Sequence, residues 1–335
     1  MRLSDIAGQE HAVGLLTRAI AAGRLAHACL FDGPDGVGKR SAAIGLAMAI
    51  ACDVAPNQGC GTCDSCRRML TGQHPDLLVY SPGAATYVVD QAREIVALAS
   101  SRPHEARGRV IVLDQADALN PASANSLLKT LEEPFPGNYL ILVTSAPDRL
   151  LPTIRSRVQR VRFVGLRPEI LMALAARAGV APARAETAAV LAAGQASRLF
   201  ALLEKETESD PWVEAQALRK AAASREIGAI FDAAGAYSDK ESRENLDEVL
   251  MLIARLYRDA IATAVGADEL VILRDKAEDL AALAAKLSGR GTPALASRAV
   301  SVVMEAGAAL AGNMNAVTAL EKMLMDLRRF EVVTQ

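Results

Sequence analysis

The feature that most constrains this chain is a glycine-rich stretch, GPDGVGKRS, at residues 33–41. A short apolar run at 28–31 precedes it, and an alanine-rich segment at 40–52 follows it. A strand, a glycine loop and a helix in this order turn backbone N–H groups and the positive end of the helix toward bound phosphates. The stretch therefore predicts a nucleotide-binding loop formed by Gly33, Gly36, Gly38 and Lys39.

Short apolar segments alternate with helical ones through the first half of the chain. Beyond the run before the loop, strands are predicted at 77–80, 110–113, 139–144 and 158–163, and helices at 90–100 and 122–132. Such alternation is typical of a parallel sheet with helices on both faces. Apolar residues make up 51% of the chain and aromatic residues only 4%, which favours closely packed helices over an aromatic β-sandwich. We therefore predict an α/β fold rich in helix.

The strand-like segments stop after residue 165, and the rest of the chain reads as alanine-rich helices. A polar, proline-containing stretch at 206–212, ETESDPW, is typical of a domain boundary. We predict a nucleotide-binding-like α/β domain at 1–165, a small helical domain at 166–208 and a larger helical domain at 209–335.

Two positions argue against efficient ATP hydrolysis by this chain. The residue after the loop lysine normally holds magnesium through a Ser or Thr hydroxyl, but here it is Arg40, which has only donors and a fixed positive charge. Asp114 follows the apolar segment VIVL, where a carboxylate helps to hold magnesium, yet the next residue is Gln115, and an amide is a poor base. We expect no efficient turnover, while nucleotide binding without turnover stays open.

Four cysteines, Cys52, Cys60, Cys63 and Cys66, lie within fifteen residues and include two overlapping Cys-x-x-Cys steps. This spacing is typical of a tetrahedral zinc site, and four protein ligands leave no place for a catalytic water, so we predict structural zinc. A redox dithiol is one alternative, although no thioredoxin-like context surrounds the cysteines. A DNA-binding finger is another, although residues 52–66 contain no Lys or Arg.

Two residues near these motifs have an ordinary structural interpretation. His74 precedes a proline and is either a spare metal ligand or, more often in such a setting, a turn residue. Cys29 lies in the apolar run before the glycine loop, and we predict that its thiol is buried in the core.

Charge and hydropathy exclude some classes of protein. The net charge of −2 gives no global positive field, so strong DNA binding by this chain alone is not predicted. The first five residues contain no apolar signal-peptide core, and the longest apolar stretch, at 42–52, is too short to cross a bilayer. We expect a cytoplasmic protein without membrane association.

Motifs along the first half of the chain resemble one protein family. They are the cysteine cluster, IAGQEHAV, LAHACLFDGPDGVGK, HPDLLVYSP, VDQAREI, VIVLDQADALN, SANSLLKTLEEP and VTSAPDRLLPTIRSRVQ. In these motifs the chain resembles the AAA+ clamp-loader subunits of bacterial DNA polymerase III, and within that family the delta-prime type. The resemblance implies a RecA-like AAA+ α/β domain with an inserted zinc module, followed by a small helical lid domain and an all-α collar domain. The helical half resembles that family only loosely.

The resemblance also implies a role for one arginine. The stretch TIRSRV is similar to the Ser-Arg-Cys signature of the family, with Ser156 and Arg157 matching and Val158 standing where cysteine is usual. In that family the arginine reaches across a subunit interface to the ATP of a neighbouring motor subunit. Arg157 is therefore predicted to act as an arginine finger in trans. A surface arginine in a short basic stretch is the alternative that the residues alone would favour.

Two further positions correspond to parts of a nucleotide site. Thr144 falls where such folds often place a polar residue that senses the γ-phosphate. Arg198, in GQASRLF, is a candidate for the lid-domain arginine, and an ordinary helix-surface arginine is the alternative. Together with Asp114 and the glycine loop, Thr144 completes the predicted degenerate nucleotide site.

The resemblance implies a non-hydrolysing stator subunit of a complex that loads the sliding clamp on primed DNA in replication. The implied partners are gamma/tau-type motor subunits and the delta subunit, with the clamp and DNA reached through the assembled complex. The alternative is an ATP-hydrolysing motor subunit of the gamma/tau type. Structural zinc is the implied cofactor, and binding of ATP or ADP is left open.

Overall fold

The computed structural model describes residues 1–83, 86–204, 211–239, 242–243, 245–273, 276–288, 293–312 and 314–332. The chain divides into two compact units, Met1–Leu203 and Glu204–Gln335. Most of the boundary stretch predicted at 206–212 lies outside the described residues, which resume at Pro211. The division into three domains stays a prediction.

A five-stranded sheet forms the centre of the first unit. Its strands are β1 (Ala28–Asp32), β2 (Leu77–Tyr80), β3 (Arg109–Leu113), β4 (Asn138–Thr144) and β5 (Gln159–Arg162). They lie in the order β2-β3-β4-β1-β5, and each neighbouring pair is parallel. Parallel neighbours need long crossover connections, which helices provide here. The predicted parallel sheet is confirmed.

Helices precede, connect and follow the strands of the first unit. They are α1 (Glu10–Ala21), α2 (Lys39–Ala51), α3 (Asp64–Leu70), α4 (Val89–Ala99), α5 (Pro121–Glu132), α6 (Pro152–Arg155), α7 (Pro168–Arg177), α8 (Pro182–Leu191) and α9 (Ala196–Glu204). The sequence did not predict α3, which begins within the cysteine cluster because the thiol of Cys63 caps it by accepting from the N–H of Cys66.

Alternate residues of the central strands enter two different cores. In β1, Cys29 and Phe31 join the core that contains α1, α2 and α3, whereas Leu30 joins the core that contains α4 and α5. This alternation follows from the period of two along a strand. Helices therefore cover both faces of the sheet. The Cys29 thiol is fully buried as predicted, and burial raises its pKa to about 12.

The carboxyl ends of β1, β3 and β4 meet at one edge of the sheet, since all the strands are parallel. Asp32 ends β1 directly before the glycine loop, Asp114 follows β3, and Thr144 ends β4. Side chains that are far apart in the sequence are thereby placed at a single edge, where ligands of open α/β sheets bind.

A third core in the first unit belongs to α7, α8 and α9. Leu166, Leu171 and Leu199 are buried there together with several alanines. Alanine lets these helices approach closely, so this small group packs with little aromatic content.

The regular secondary structure among the described residues of the second unit is entirely helical. Its helices are α10 (Pro211–Ala223), α11 (Gly228–Gly235), α12 (Leu246–Ala264), α13 (Ala277–Ser288), α14 (Pro293–Ala311) and α15 (Ala316–Glu331). The central helix α12 packs against α10, α13 and α14, and α15 packs against α10, α11 and α14. Among the described helices, none has both the length and the apolar character required to span a bilayer.

Candidate nucleotide, zinc and arginine sites

The glycine loop follows β1 and leads into α2, as the sequence predicts. Gly33 has φ +148°, and a Cβ there would collide with the carbonyl oxygen of Phe163 at the end of β5. Gly36 has φ +68°, and a Cβ there would collide with the side chain of Ser197. The Ser197 N–H donates to the carbonyl oxygen of Gly36 at 3.2 Å. The loop is thus packed between the sheet and the start of α9, and glycine is needed at both contacts.

Lys39 is folded back onto its own loop. Its Nζ donates to the carbonyl oxygens of Gly33 at 2.5 Å and Pro34 at 2.6 Å, and it lies 3.6 Å from a carboxylate oxygen of Asp35. Burial lowers the pKa of Lys39, and the nearby Asp35 carboxylate partly opposes that effect. The ammonium would have to exchange these oxygens for phosphate oxygens before it could hold a nucleotide.

The place of the magnesium-binding hydroxyl is taken by a guanidinium. Arg40 Nη1 donates to Asp114 Oδ2 at 3.3 Å, joining the first turn of α2 to the end of β3. The Asp114 side chain is 19% exposed and that of Arg40 is 54% exposed. Because Arg40 carries a permanent positive charge, it repels a divalent cation and occupies the carboxylate that would hold one.

The neighbouring candidates are also engaged with protein groups. Gln115 has φ +51°, and its backbone N–H donates to Asp114 Oδ1 at 3.1 Å. Thr144 Oγ1 donates to Asp117 Oδ1 at 2.6 Å and accepts from the N–H of Ala146 at 3.0 Å. A threonine hydroxyl has one donor, so that of Thr144 is used within the chain.

The four predicted cysteine ligands converge. Their sulfur atoms all lie within 4.8 Å of one another, with Cys52 and Cys63 at 3.9 Å and Cys60 and Cys66 at 3.9 Å. Zinc–sulfur bonds of about 2.3 Å in a tetrahedron place the sulfurs about 3.8 Å apart. The cysteine cluster therefore fits a zinc ion after shifts of at most about 1 Å, and four ligands leave no open coordination position.

Backbone donors surround these sulfurs. Cys52 Sγ accepts from the N–H of Ala55 at 3.2 Å, and Cys60 Sγ accepts from the N–H of Cys63 at 3.2 Å. Hydrogen bonds from the side chain and backbone of Thr62 lower the pKa of Cys60 to about 5, whereas burial raises the pKa of Cys66 to about 12. A bound cation is what would make Cys66 a thiolate as well, because zinc binds the deprotonated form.

His74 lies outside the cysteine cluster and braces it. Its Nδ1 accepts from the N–H of Asp76 at 3.1 Å, and its Nε2 lies 3.1 Å from Ser65 Oγ on α3 and 3.2 Å from Glu105 Oε1. The first contact assigns the ring proton to Nε2 in the neutral form. Burial lowers the pKa of His74, which favours that neutral form. The interpretation of His74 as a turn residue is closer to the structure than that of a spare ligand.

Arg157 lies at the surface between α6 and β5. Its Nε and Nη2 each approach Glu132 Oε1 at 2.5 Å, and its Nη1 donates to the carbonyl oxygen of Thr153 at 3.0 Å. Nη1 also lies 3.3 Å from Ser156 Oγ. The side chain of Arg157 remains 35% exposed and that of Glu132 47% exposed. Ser156 and Arg157 are thus in contact with each other.

Several residues that shape these sites were not singled out by sequence reasoning. Glu132 lies in the motif SANSLLKTLEEP, which supported the resemblance without suggesting a role for this carboxylate. Asp117, which contacts Thr144, and Ser197, which contacts Gly36, were also not predicted, because a single polar residue in a sequence carries no pattern that shows what it will contact. Arg198 lies in the first turn of α9, next to Ser197, and its role stays a prediction.

The region that contains the glycine loop and Arg157 is also the region most similar to known proteins. A family model described as DNA polymerase III, delta subunit, matches residues 8–167, which include both the glycine loop and Arg157. Subunit delta' of DNA polymerase III from Bacillus subtilis is 28% identical over 328 residues, covering 96% of each chain. These two matches support a clamp-loader delta-prime subunit of DNA polymerase III. A delta' subunit from Pseudomonas aeruginosa is 41% identical over 135 residues, 39% of this chain and 41% of that one.

The gamma/tau subunits of the same polymerase are similar to part of the chain. That of Mycobacterium tuberculosis H37Rv is 39% identical over 176 residues, which is 52% of this chain. The match covers only 30% of the gamma/tau subunit. The match to the Bacillus subtilis delta' subunit therefore extends through the helical second unit. The match to the gamma/tau subunit is limited to about half of the chain.

Proposed function

We propose that this chain is the non-hydrolysing stator subunit of a DNA polymerase III clamp loader, which loads the sliding clamp on primed DNA. In this proposal the chain completes the ATP site of a neighbouring gamma/tau-type subunit by supplying Arg157 in trans. The other expected partner is the delta subunit. The clamp and DNA are reached through the assembled complex.

The observation that carries the first half of this proposal is the ion pair between Arg40 and Asp114. Magnesium neutralises the β- and γ-phosphates during phosphoryl transfer and is held by a hydroxyl and a carboxylate. Here a guanidinium replaces the hydroxyl and pairs with the carboxylate at 3.3 Å. Gln115 then lacks the acid–base chemistry needed to activate water. A site with these residues is unsuited to hydrolysis, whether or not a nucleotide is bound.

The second half of the proposal is supported by the exposure and chemistry of Arg157. A guanidinium is planar, permanently charged and able to stabilise charge on a transferring phosphoryl group. Arg157 lies on a turn at the surface, 35% exposed, with its charge partner also at the surface. A neighbouring subunit's nucleotide can therefore approach it without unfolding of this chain.

The alternative is a motor ATPase of the gamma/tau type. Its support is the 39% identity over 176 residues to a gamma/tau subunit. That alternative requires Lys39 to bind a nucleotide together with magnesium, and it therefore makes the opposite prediction for substitutions in the glycine loop.

The test is ATP turnover by the reconstituted clamp loader with its clamp and primed DNA. Arg157→Ala is expected to slow the step at the site it serves by about 10³-fold, which lowers total turnover to what the remaining sites supply. Arg155→Ala is the matched control, because Arg155 is an exposed arginine on the same turn that pairs with Asp148 at 2.8 Å. Lys39→Ala is expected to leave turnover unchanged.

Two results would overturn this proposal. Unchanged turnover with Arg157→Ala, in a complex shown to be fully assembled, would remove the arginine-finger role. A loss of turnover with Lys39→Ala would favour the motor alternative, provided that the thermal transition of the variant matches that of the parent chain.

A further inference from the structure

Glu132 is the side chain that sets the direction of the Arg157 guanidinium. Both Nε and Nη2 lie 2.5 Å from the same carboxylate oxygen, Glu132 Oε1. Glu132 is the last residue of α5, and that helix is anchored to the core through Leu127 and Leu131. The carboxylate is therefore presented by a rigid element.

The opposite edge of the guanidinium is held by the turn itself. Nη1 donates to the carbonyl oxygen of Thr153 and also contacts Ser156 Oγ. Contacts on both edges confine a side chain that otherwise has many rotamers, so little freedom is left to lose when it meets a phosphate. Groups that act on a transition state must be held close to their productive geometry.

We propose that Glu132 is the positioning residue for Arg157, orienting its guanidinium for the phosphoryl group of a neighbouring subunit's nucleotide. This inference rests on the proposed function of Arg157 and adds the residue that directs it. Glu132 itself would touch neither nucleotide nor magnesium.

The pair is suited to orientation because both side chains are partly exposed. A pair in this environment contributes little to stability, so it does not hold the arginine back from a stronger anionic partner. A phosphate group carries more charge than one carboxylate and offers several acceptors, so it can exchange with Glu132 at low cost. Glu132 thus arranges the guanidinium before assembly.

The next residue provides a matched control. Glu133 has the same side chain and is also exposed. Within the described residues, no ion pair to Arg157 other than that of Glu132 is found. Glu133→Gln removes the same charge from the same helix end without touching the guanidinium.

The experiment uses the reconstituted clamp loader and measures kcat and KM for ATP with Glu132→Gln, Glu132→Asp, Glu133→Gln and Arg157→Ala in this chain. The part of kcat that Arg157→Ala removes is the quantity of interest. Glu132→Gln is expected to remove more than about half of that part, corresponding to at least a twofold slower step at that site. KM is expected to stay unchanged, because the neighbour binds the ATP. Glu133→Gln should retain the whole Arg157-dependent part, and Glu132→Asp should retain more of it than Glu132→Gln.

The double variant Glu132→Gln with Arg157→Ala distinguishes positioning from general damage. If Glu132 acts through Arg157, the double variant equals Arg157→Ala alone, since there is no guanidinium left to orient. A further loss in the double variant would overturn the inference. The inference would also be overturned if Glu132→Gln had a normal kcat while Arg157→Ala had a lowered kcat, and that result would leave the proposed function intact. Normal kcat for Arg157→Ala would overturn both.

Discussion

The first unit contains two places whose motifs are typical of divalent-cation sites, the cysteine cluster and the carboxyl edge of the sheet, and they differ in the charges that the chain supplies there. At the cysteine cluster, four sulfurs lie within 4.8 Å of one another and backbone N–H groups point toward them. At the carboxyl edge of the sheet, Arg40 occupies the position of a magnesium ligand and pairs with Asp114. The cysteine cluster offers four sulfur ligands to a cation, whereas the carboxyl edge of the sheet carries the positive charge of Arg40.

The two places differ in how their charged or metal-binding groups are satisfied by the chain itself. A guanidinium next to Asp114 satisfies the carboxylate that would otherwise face the strand edge without a cation. The four candidate ligands of the cysteine cluster are all cysteines, so none of them carries a positive charge that could replace a metal ion. We therefore expect the cysteine cluster to depend on its metal for stability and the glycine-loop edge to be stable without one.

The largest effect is expected from removing a sulfur ligand. Cys66→Ala should abolish stoichiometric zinc binding and destabilise the first unit by more than about 5 kcal/mol, because metal binding of this kind is coupled to folding. The measurements are zinc content per chain and the thermal unfolding transition. Cys29→Ala is the matched control, since Cys29 is equally buried but lies in the core outside the cysteine cluster.

Two results would contradict the zinc assignment. One is far less than one zinc per chain in the parent protein purified without chelator. The other is Cys66→Ala with the same zinc content as Cys29→Ala.

The guanidinium–carboxylate contact between Arg109 and Asp76 extends the comparison, because it is buried. Asp76 is fully buried and Arg109 nearly so, with Nε and Oδ1 at 3.3 Å. Asp76 also accepts from the N–H groups of His104, Glu105 and Ala106 at 2.6, 2.8 and 2.9 Å. Asp76→Ala should cost about 3 kcal/mol, since it leaves a buried charge and several donors without a partner. Asp148→Ala, at an exposed pair, should cost less than about 1 kcal/mol.

The same residue predicts a pH dependence. Burial would raise the pKa of Asp76, but the three backbone donors and Arg109 outweigh it and hold the pKa below 3.8. A carboxyl with a lowered pKa in the folded state contributes stability that is complete above 3.8 and is lost as pH falls through the lower folded value. Urea unfolding between about pH 2 and pH 7 should show this loss, at pH values below 3.8, in the parent chain and a smaller loss in Asp76→Ala. Parallel pH profiles would refute the assignment.

The smallest effect on stability is expected at the Arg40 pair. Arg40→Ser should change the free energy of unfolding by less than about 1 kcal/mol, because the pair is partly exposed. Arg40→Ser combined with Gln115→Glu restores the residue types that hold magnesium and activate water. In a calorimetric titration with ADP, with and without magnesium, this double variant should show magnesium-dependent binding and the parent chain should not. Adding Lys39→Ala should remove it. Equal magnesium dependence in parent and variant would mean that Arg40 is not what closes the cation site.

Much of the fold was accessible from local pattern. The strands at 77–80, 110–113 and 139–144 agree with the structure to within one residue, because short apolar segments bounded by polar turns have few other solutions. The strand predicted at 158–163 is shorter, Gln159–Arg162, since its polar residues give a weak pattern at the sheet edge. Helix α3 was missed because a cysteine thiol, which is rarely a cap, begins it.

Part of the candidate site could likewise be predicted from local sequence pattern. The glycine loop, the four cysteines and the substitutions Arg40 and Gln115 are visible in the sequence, because each depends on residue type at fixed local spacing. Their chemical identities alone indicate a phosphate loop without a magnesium hydroxyl and a set of zinc ligands.

Only the tertiary structure decides what each charged side chain is paired with. Arg40 meets Asp114 across 74 residues, Arg157 meets Glu132 across 25, and Arg109 meets Asp76 across 33. Parallel strands bring such positions together through crossovers whose register depends on packing of the whole sheet. A charge has no local periodicity that reveals its partner, and for that reason the pairing of Arg40 with Asp114 and of Arg157 with Glu132 is visible only in the folded chain.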